Sequence, residues 1–156
     1  LRFSIEHCTD GYLIVDELVR NHVQCLLGPT VGGKGKIEAR NKTFKAGQIL
    51  ENAGITFGLI TDAPFVPIEG QLLQAALYVK NGLSREMALK CLTINNAIIT
   101  DIDSRVGSLE PGKDADVVIW DVEPLATLSQ VGIVIIDGQI AYRRKAGESN
   151  VDYQKL

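Results

Sequence analysis

An α/β chain is the predicted fold: a parallel sheet covered by helices, followed by a separate antiparallel layer. Three observations carry this expectation. Residues 1–100 pass from a short apolar run to a helical pattern three times. Those apolar runs are nearly continuous, as strands buried on both faces require. After Thr100 the pattern changes to short strands joined by tight turns, which suits an antiparallel layer.

The elements follow in chain order. Residues 3–7 form the first strand, and Asp10 is placed to cap the next helix. Tyr12, Val15, Leu18 and Val19 recur at helical spacing. Residues 23–27 form the second strand, and residues 28–40 a polar, glycine-rich loop. A helix ends near Ala53, with Gly54 as its stop. Residues 55–61 form the third strand. Pro64 and Pro67 are expected to hold the following loop extended. Leu72, Leu73, Ala75, Ala76, Leu77 and Val79 make a strong helix that stops at Gly82. Ser84 caps a helix over 85–92, and Thr93 caps another over 94–99. In the last part, residues 110–113 (EPGK) make a turn and 117–120 a strand. Residues 131–136 and 139–143 form a hairpin around Asp137-Gly138, a pair suited to a two-residue turn with positive φ. Trp120 is expected in the core beside these strands. Residues 146–156 are a polar tail.

Composition narrows the classes of function. Of the 156 residues, 46% are hydrophobic and 22% charged, the balance of a globular chain rather than a disordered one. A net charge of −3 and no basic stripe give no footprint for nucleic acid. No apolar run approaches the ~20 residues of a membrane helix. Cys8, Cys25 and Cys91 are far apart and without a CxxC pair, so free buried thiols in a reducing, cytoplasmic setting are expected. The chain opens at Leu1, without Met and directly into a strand, which points to a piece of a longer protein.

The stretch GPTVGGKGK, residues 28–36, imitates a phosphate-binding loop: Gly28, four residues, then Gly33-Lys34. Such a loop needs a hydroxyl after the lysine, and Gly35 stands there. Pro29 removes one of the N–H donors that would wrap the anion. A surface loop is the expected structure, and Asp62 is not a magnesium partner to it.

His7 closes the first strand and Asp62 the third. Ligands gather where parallel strands meet their following loops. An imidazole and a carboxylate suit zinc or a similar divalent ion, whose bound water a carboxylate can deprotonate. A buried, satisfied histidine and a helix-capping aspartate remain the competing reading. His22 is read as a helix-end residue.

SLEPGKDADVVIWDVEPL, residues 108–125, resembles the C-terminal signature of the metal-dependent amidohydrolase superfamily. IVIIDGQIAYRR, residues 133–144, resembles the closing hairpin of those proteins, and residues 82–113 their final helices. IEHCTDGYLIVDELVRNHVQCLLGP and GITFGLITDAPFVPI resemble their sixth to eighth barrel units. The resemblance is to the imidazolonepropionase-like and dipeptidase-like branch. It covers all but about the last ten residues, with several motifs in order.

The resemblance implies the last three strand–helix units of a (β/α)8 TIM-type barrel over 1–104, and the C-terminal strands of a small β-sandwich over 105–145. It implies hydrolysis of C–N bonds in amides, cyclic amides or amines of a small-molecule substrate, with one or two metals, often zinc. Asp62 matches the aspartate that binds metal and shuttles the proton of the attacking water. His7 matches a histidine that binds metal or touches substrate. Lys34 and Lys36 fall where relatives carry an Arg and a Lys that can contact a substrate carboxylate. Four departures bear on the substrate: Ala63 and Tyr12 stand where relatives often have His, Asn96 where they have Pro, and Thr100 where they have Gly.

A complete barrel takes ~250 residues, and this chain has no His-x-His pair. Two hypotheses follow. The chain is the C-terminal part of a metal hydrolase, inactive alone; or it is a self-standing, non-enzymatic binding module. On the first, residues 3–7 and 55–61 present open strand edges, and a homo-oligomer is expected.

Overall fold

The computed structural model describes residues 3–33 and 35–145. The predicted tail, 146–156, and Lys34 lie outside the described residues. The chain forms β1 (Ser4–Ile5), a 3-10 turn (Gly11–Ile14), α1 (Val15–Arg20), β2 (Gln24–Leu27), a 3-10 turn (Ile37–Ala39), α2 (Lys45–Asn52) and β3 (Phe57–Leu59). It continues through α3 (Gly70–Lys80), α4 (Arg85–Leu92), α5 (Ile94–Ile99), β4 (Val117–Trp120), β5 (Val131–Ile136) and β6 (Gln139–Arg143).

The first sheet is parallel, in the order β1-β2-β3, with Ile5 opposite Cys25 and Leu27 opposite Leu59. Alternate residues of β2 and β3 build the core. Cys25, Leu27, Phe57 and Leu59 are wholly buried, against Ala46 and Leu50 of α2, Ala75 and Tyr78 of α3, and Ala88 and Cys91 of α4. Each large apolar side chain so buried contributes about 1.5–3 kcal/mol. The three thiols are free and buried, as expected. Cys91 donates to Phe57 O at 3.1 Å, and burial pushes its pKa up to about 12.

Leu125 packs on the core, and Arg85 of α4 lies 3.5 Å from Glu123. The second sheet is antiparallel, β4-β5-β6. Its hairpin turns at Asp137 and Gly138 with φ of 50° and 74°, as Asp-Gly allows. None of its strand residues is fully buried. Trp120 is therefore half-buried rather than core, because no second layer covers this sheet among the described residues.

Other expectations need correction. The parallel strands are shorter than predicted. Asp10 makes no side-chain cap; its carboxylate instead accepts from Asn41 Nδ2 at 3.3 Å. Thr93 makes none either, since its hydroxyl donates back to Leu89 O at 2.7 Å. Ser84 does cap α4, accepting from Met87 N at 3.1 Å. The loop with Pro64 and Pro67 is folded into turns, with Phe65 N on Asp62 O at 2.8 Å and Gly70 N on Pro67 O at 2.9 Å. After α5 the left-handed residue is Asp101, at φ 62°, so Thr100 stands where no glycine is required.

The edge of β3 away from β2 is not bare. Its outward carbonyls are occupied by side chains: Phe57 O by Asn95 Nδ2 at 2.8 Å, and Leu59 O by Gln71 Nε2 at 2.6 Å and Asn96 Nδ2 at 3.2 Å. Amide side chains from α3 and α5 thus satisfy acceptors that a neighbouring strand would otherwise use.

Candidate functional site

Each parallel strand ends in a residue that turns sharply aside. His7 follows β1 with φ 53°, and Asp62 follows β3 with φ 54°. Left-handed backbone is costly for residues bearing a Cβ and recurs at functional positions. Both side chains are exposed. Asp62 precedes a loop rather than a helix, with its carbonyl accepting from Phe65 N. The competing reading of a buried histidine and a helix-capping aspartate is therefore overturned.

His7 and Asp62 line one cleft of about 540 Å³. Its walls include Glu6, Leu26, Leu59, Thr61 and Gln71. The cleft sits at the C-terminal ends of the parallel strands, where strand–helix folds place ligands. Gln71 and Asn96 also line it, and Gln71 Oε1 and Asn96 Oδ1 are buried without a hydrogen-bond partner. Sequence reasoning missed these amides; Asn96 is visible only as a departure from proline.

Lys36 is exposed at the start of the short turn Ile37–Ala39 and does not line the cleft. Lys34, the other lysine of this loop, lies outside the described residues. In this loop a Cβ at Gly32, Gly33 or Gly35 would meet nothing within 4 Å, and the next α-helix starts only at Lys45. His22 is exposed just past the end of α1, as expected of a helix-end residue.

As donors, the imidazole of His7 and the carboxylate of Asp62 fit a divalent ion such as zinc. Among the described residues no three His, Cys, Asp or Glu gather into a metal-holding group. No helix among the described residues is long and apolar enough to cross a membrane.

The amidohydrolase family model matches residues 7–141, from the end of β1 into β6. This chain belongs to the amidohydrolase family. Among solved structures, an amidohydrolase from Thermotoga maritima MSB8 superposes with a TM-score of 0.87 at 37% identity, covering 90% of this chain and 37% of that one. A Xaa-Pro dipeptidase with methionine bound in its active site gives a TM-score of 0.69 at 27% identity, over 91% of this chain and 40% of that one. The imidazolonepropionase of Picrophilus torridus is 49% identical over 41 residues, 26% of this chain and 10% of that protein. The chain thus spans well under half the length of these relatives. Its family fold is the α/β, TIM-barrel type, matched over a part of the barrel proteins' length.

Proposed function

We propose that this chain supplies the last three strand–helix units of a metal-dependent barrel hydrolase that cleaves C–N bonds in amides, cyclic amides or amines. The observation that carries the reading is the convergence of His7 and Asp62 on one cleft at the strand ends. The barrel part is assigned to residues 1–104 and the sandwich part to 105–145. The whole protein would act on a small-molecule substrate, in the cytoplasm and as a homo-oligomer. Dipeptide-like and cyclic-amide substrates are favoured by the dipeptidase and imidazolonepropionase relatives.

The assigned cofactor is a divalent metal, zinc by the chemistry of its donors. When bound, such an ion acidifies a water towards neutrality. His7 offers a neutral ring nitrogen to the metal. Asp62 offers a carboxylate that both binds and accepts the proton of the attacking water. Two donors leave the site incomplete, so the chain is expected to be inactive alone. Lys34 and Lys36 are assigned to a substrate carboxylate from the loop after β2; their charge and sequence position support this.

The test is the full reading frame containing this chain, loaded with zinc and assayed against dipeptides, cyclic amides and aminopurines. Hydrolysis that falls by a factor on the order of 10³ in Asp62→Asn, as loss of a catalytic proton acceptor should give, supports the reading. Hydrolysis unchanged by that substitution contradicts it.

A further inference from the structure

Gln74 lies mid-way along α3 and is wholly buried. Its side-chain amide grips two separate stretches of backbone. Oε1 accepts from Thr30 N at 2.7 Å and from Val31 N at 3.4 Å. Nε2 donates to Ile60 O at 2.8 Å. One turn further on, Tyr78 reinforces the first grip, its hydroxyl meeting Thr30 Oγ1 at 2.5 Å. Gly28 makes the approach possible. A Cβ there would lie 2.3 Å from Ile60 O and 3.0 Å from Gln74 Nε2, and φ is 129°. The loop after β2 therefore crosses directly over the end of β3, with Gln74 beneath both.

Ile60 is the last residue of this strand end held by the sheet, its N–H on Leu27 O at 3.1 Å. Asp62 stands two residues beyond, past the reach of β2. The only bond to the Ile60 carbonyl among the described residues comes from Gln74. An amide is the group required, since it donates to one stretch and accepts from the other. A carboxylate accepts but cannot donate, and a thioether does neither.

We propose that Gln74 is a positioning residue: by tying Ile60 to the start of the loop after β2, it sets where Asp62 stands in the cleft. This rests on the reading of Asp62 as the metal-binding carboxylate. Gln74 itself does not line the cleft.

The experiment compares Gln74→Glu and Gln74→Met in the 156-residue chain. Amide hydrogen exchange is read at Thr30 and Val31, NMR signals at Asp62, stability by urea, and affinity for zinc ions alone by calorimetry. Gln74→Glu is followed from neutral to alkaline pH, because burial favours the neutral acid, which can still donate to Ile60 O. Once it ionises, Thr30 and Val31 keep their acceptor and their protection while Ile60 O loses its donor. The Asp62 signals move and zinc binding weakens about tenfold, the scale of losing a group that orients a metal ligand. Gln74→Met frees both stretches. A purely structural role would instead speed exchange everywhere in step with lost stability. Asp62 signals unmoved in a folded Gln74→Met chain, or in the Gln74→Glu chain once its carboxyl has ionised, would overturn the proposal, and the Glu variant decides alone if the Met variant unfolds. A parent chain that binds no zinc would count against the metal reading, while the Asp62 signals still decide the role of Gln74.

Discussion

His7 and Asp62 leave their strands in the same left-handed conformation, φ 53° and 54°, and enter one cleft from strands separated by β2. Two unrelated loops thus make the same unfavourable turn at the same edge of the sheet. Each turn costs a non-glycine residue about 1–2 kcal/mol. The same backbone sign recurs at His22, Asp101 and Asp137, outside the cleft, so positive φ alone does not mark the site; what sets His7 and Asp62 apart is the cleft they share.

The left-handed turn has a stability consequence. Asp62→Gly removes the strain and brings back part of the cost as glycine's greater freedom when unfolded, about 0.5–1 kcal/mol. The variant should be more stable than Asp62→Ala by about 1 kcal/mol in urea denaturation. Equal stabilities would show that the left-handed turn is not strained. Both variants should lose zinc binding alike.

Alkaline pH should unfold the chain through Tyr78. Burial raises its pKa well above the ordinary value of 10, against a smaller opposing effect of the bond to Thr30. The folded state thus favours the neutral phenol. Its contribution is fully present below about pH 10 and is lost as pH rises towards the folded pKa, by about 1.4 kcal/mol per pH unit. Urea titrations from pH 9 to 11.5 should show this slope, and Tyr78→Phe should flatten it.

Gly58 is predicted to admit no side chain. A Cβ there would lie 1.7 Å from Asn96 Oδ1 and 3.0 Å from Leu26 Cδ2. Gly58→Ala should cost about 1–3 kcal/mol by overpacking. Adding Asn96→Ala should recover part of that loss, because the nearest clash is with the Asn96 amide. Additive losses in the double variant would place the strain elsewhere.

Ser84 joins two helices as well as capping one. Its N–H donates to Glu51 Oε2 at 2.9 Å and its hydroxyl to Glu51 Oε1, while Oγ accepts from Met87 N. Ser84→Ala should cost about 1 kcal/mol, the worth of an N-cap. Measurement in a Glu51→Gln background would separate the cap from the bridge.

How much of this was legible follows from what each feature depends on. The bounds of α4 and of β4 to β6 match the predicted ones because local chemistry sets them: Ser84 for the helix, Asp137-Gly138 for the hairpin. The parallel strands were overextended. Their length depends on neighbours, and among the described residues β1 pairs on one side only, over Ser4 and Ile5. Asp10 and Thr93 have the right chemistry for caps, but tertiary and back-bonding partners take their side chains. His7 and Asp62 were visible as polar residues ending apolar strands. Gln74 left a fainter signal, one amide on the buried stripe of α3 with Ala75 and Tyr78. Its two partners, 44 and 14 residues away in sequence, could not be read from spacing.

The most direct test of the central claim is zinc binding by the 156-residue chain, measured by calorimetry beside His7→Ala and Asp62→Ala. With two donors the parent chain should bind zinc weakly, losing the ion on dialysis. Each substitution should lower the affinity at least about tenfold, as expected for removing one of so few ligands. Binding that is the same in both variants as in the parent, or no binding by the parent, would contradict the assignment of His7 and Asp62 as a shared metal site.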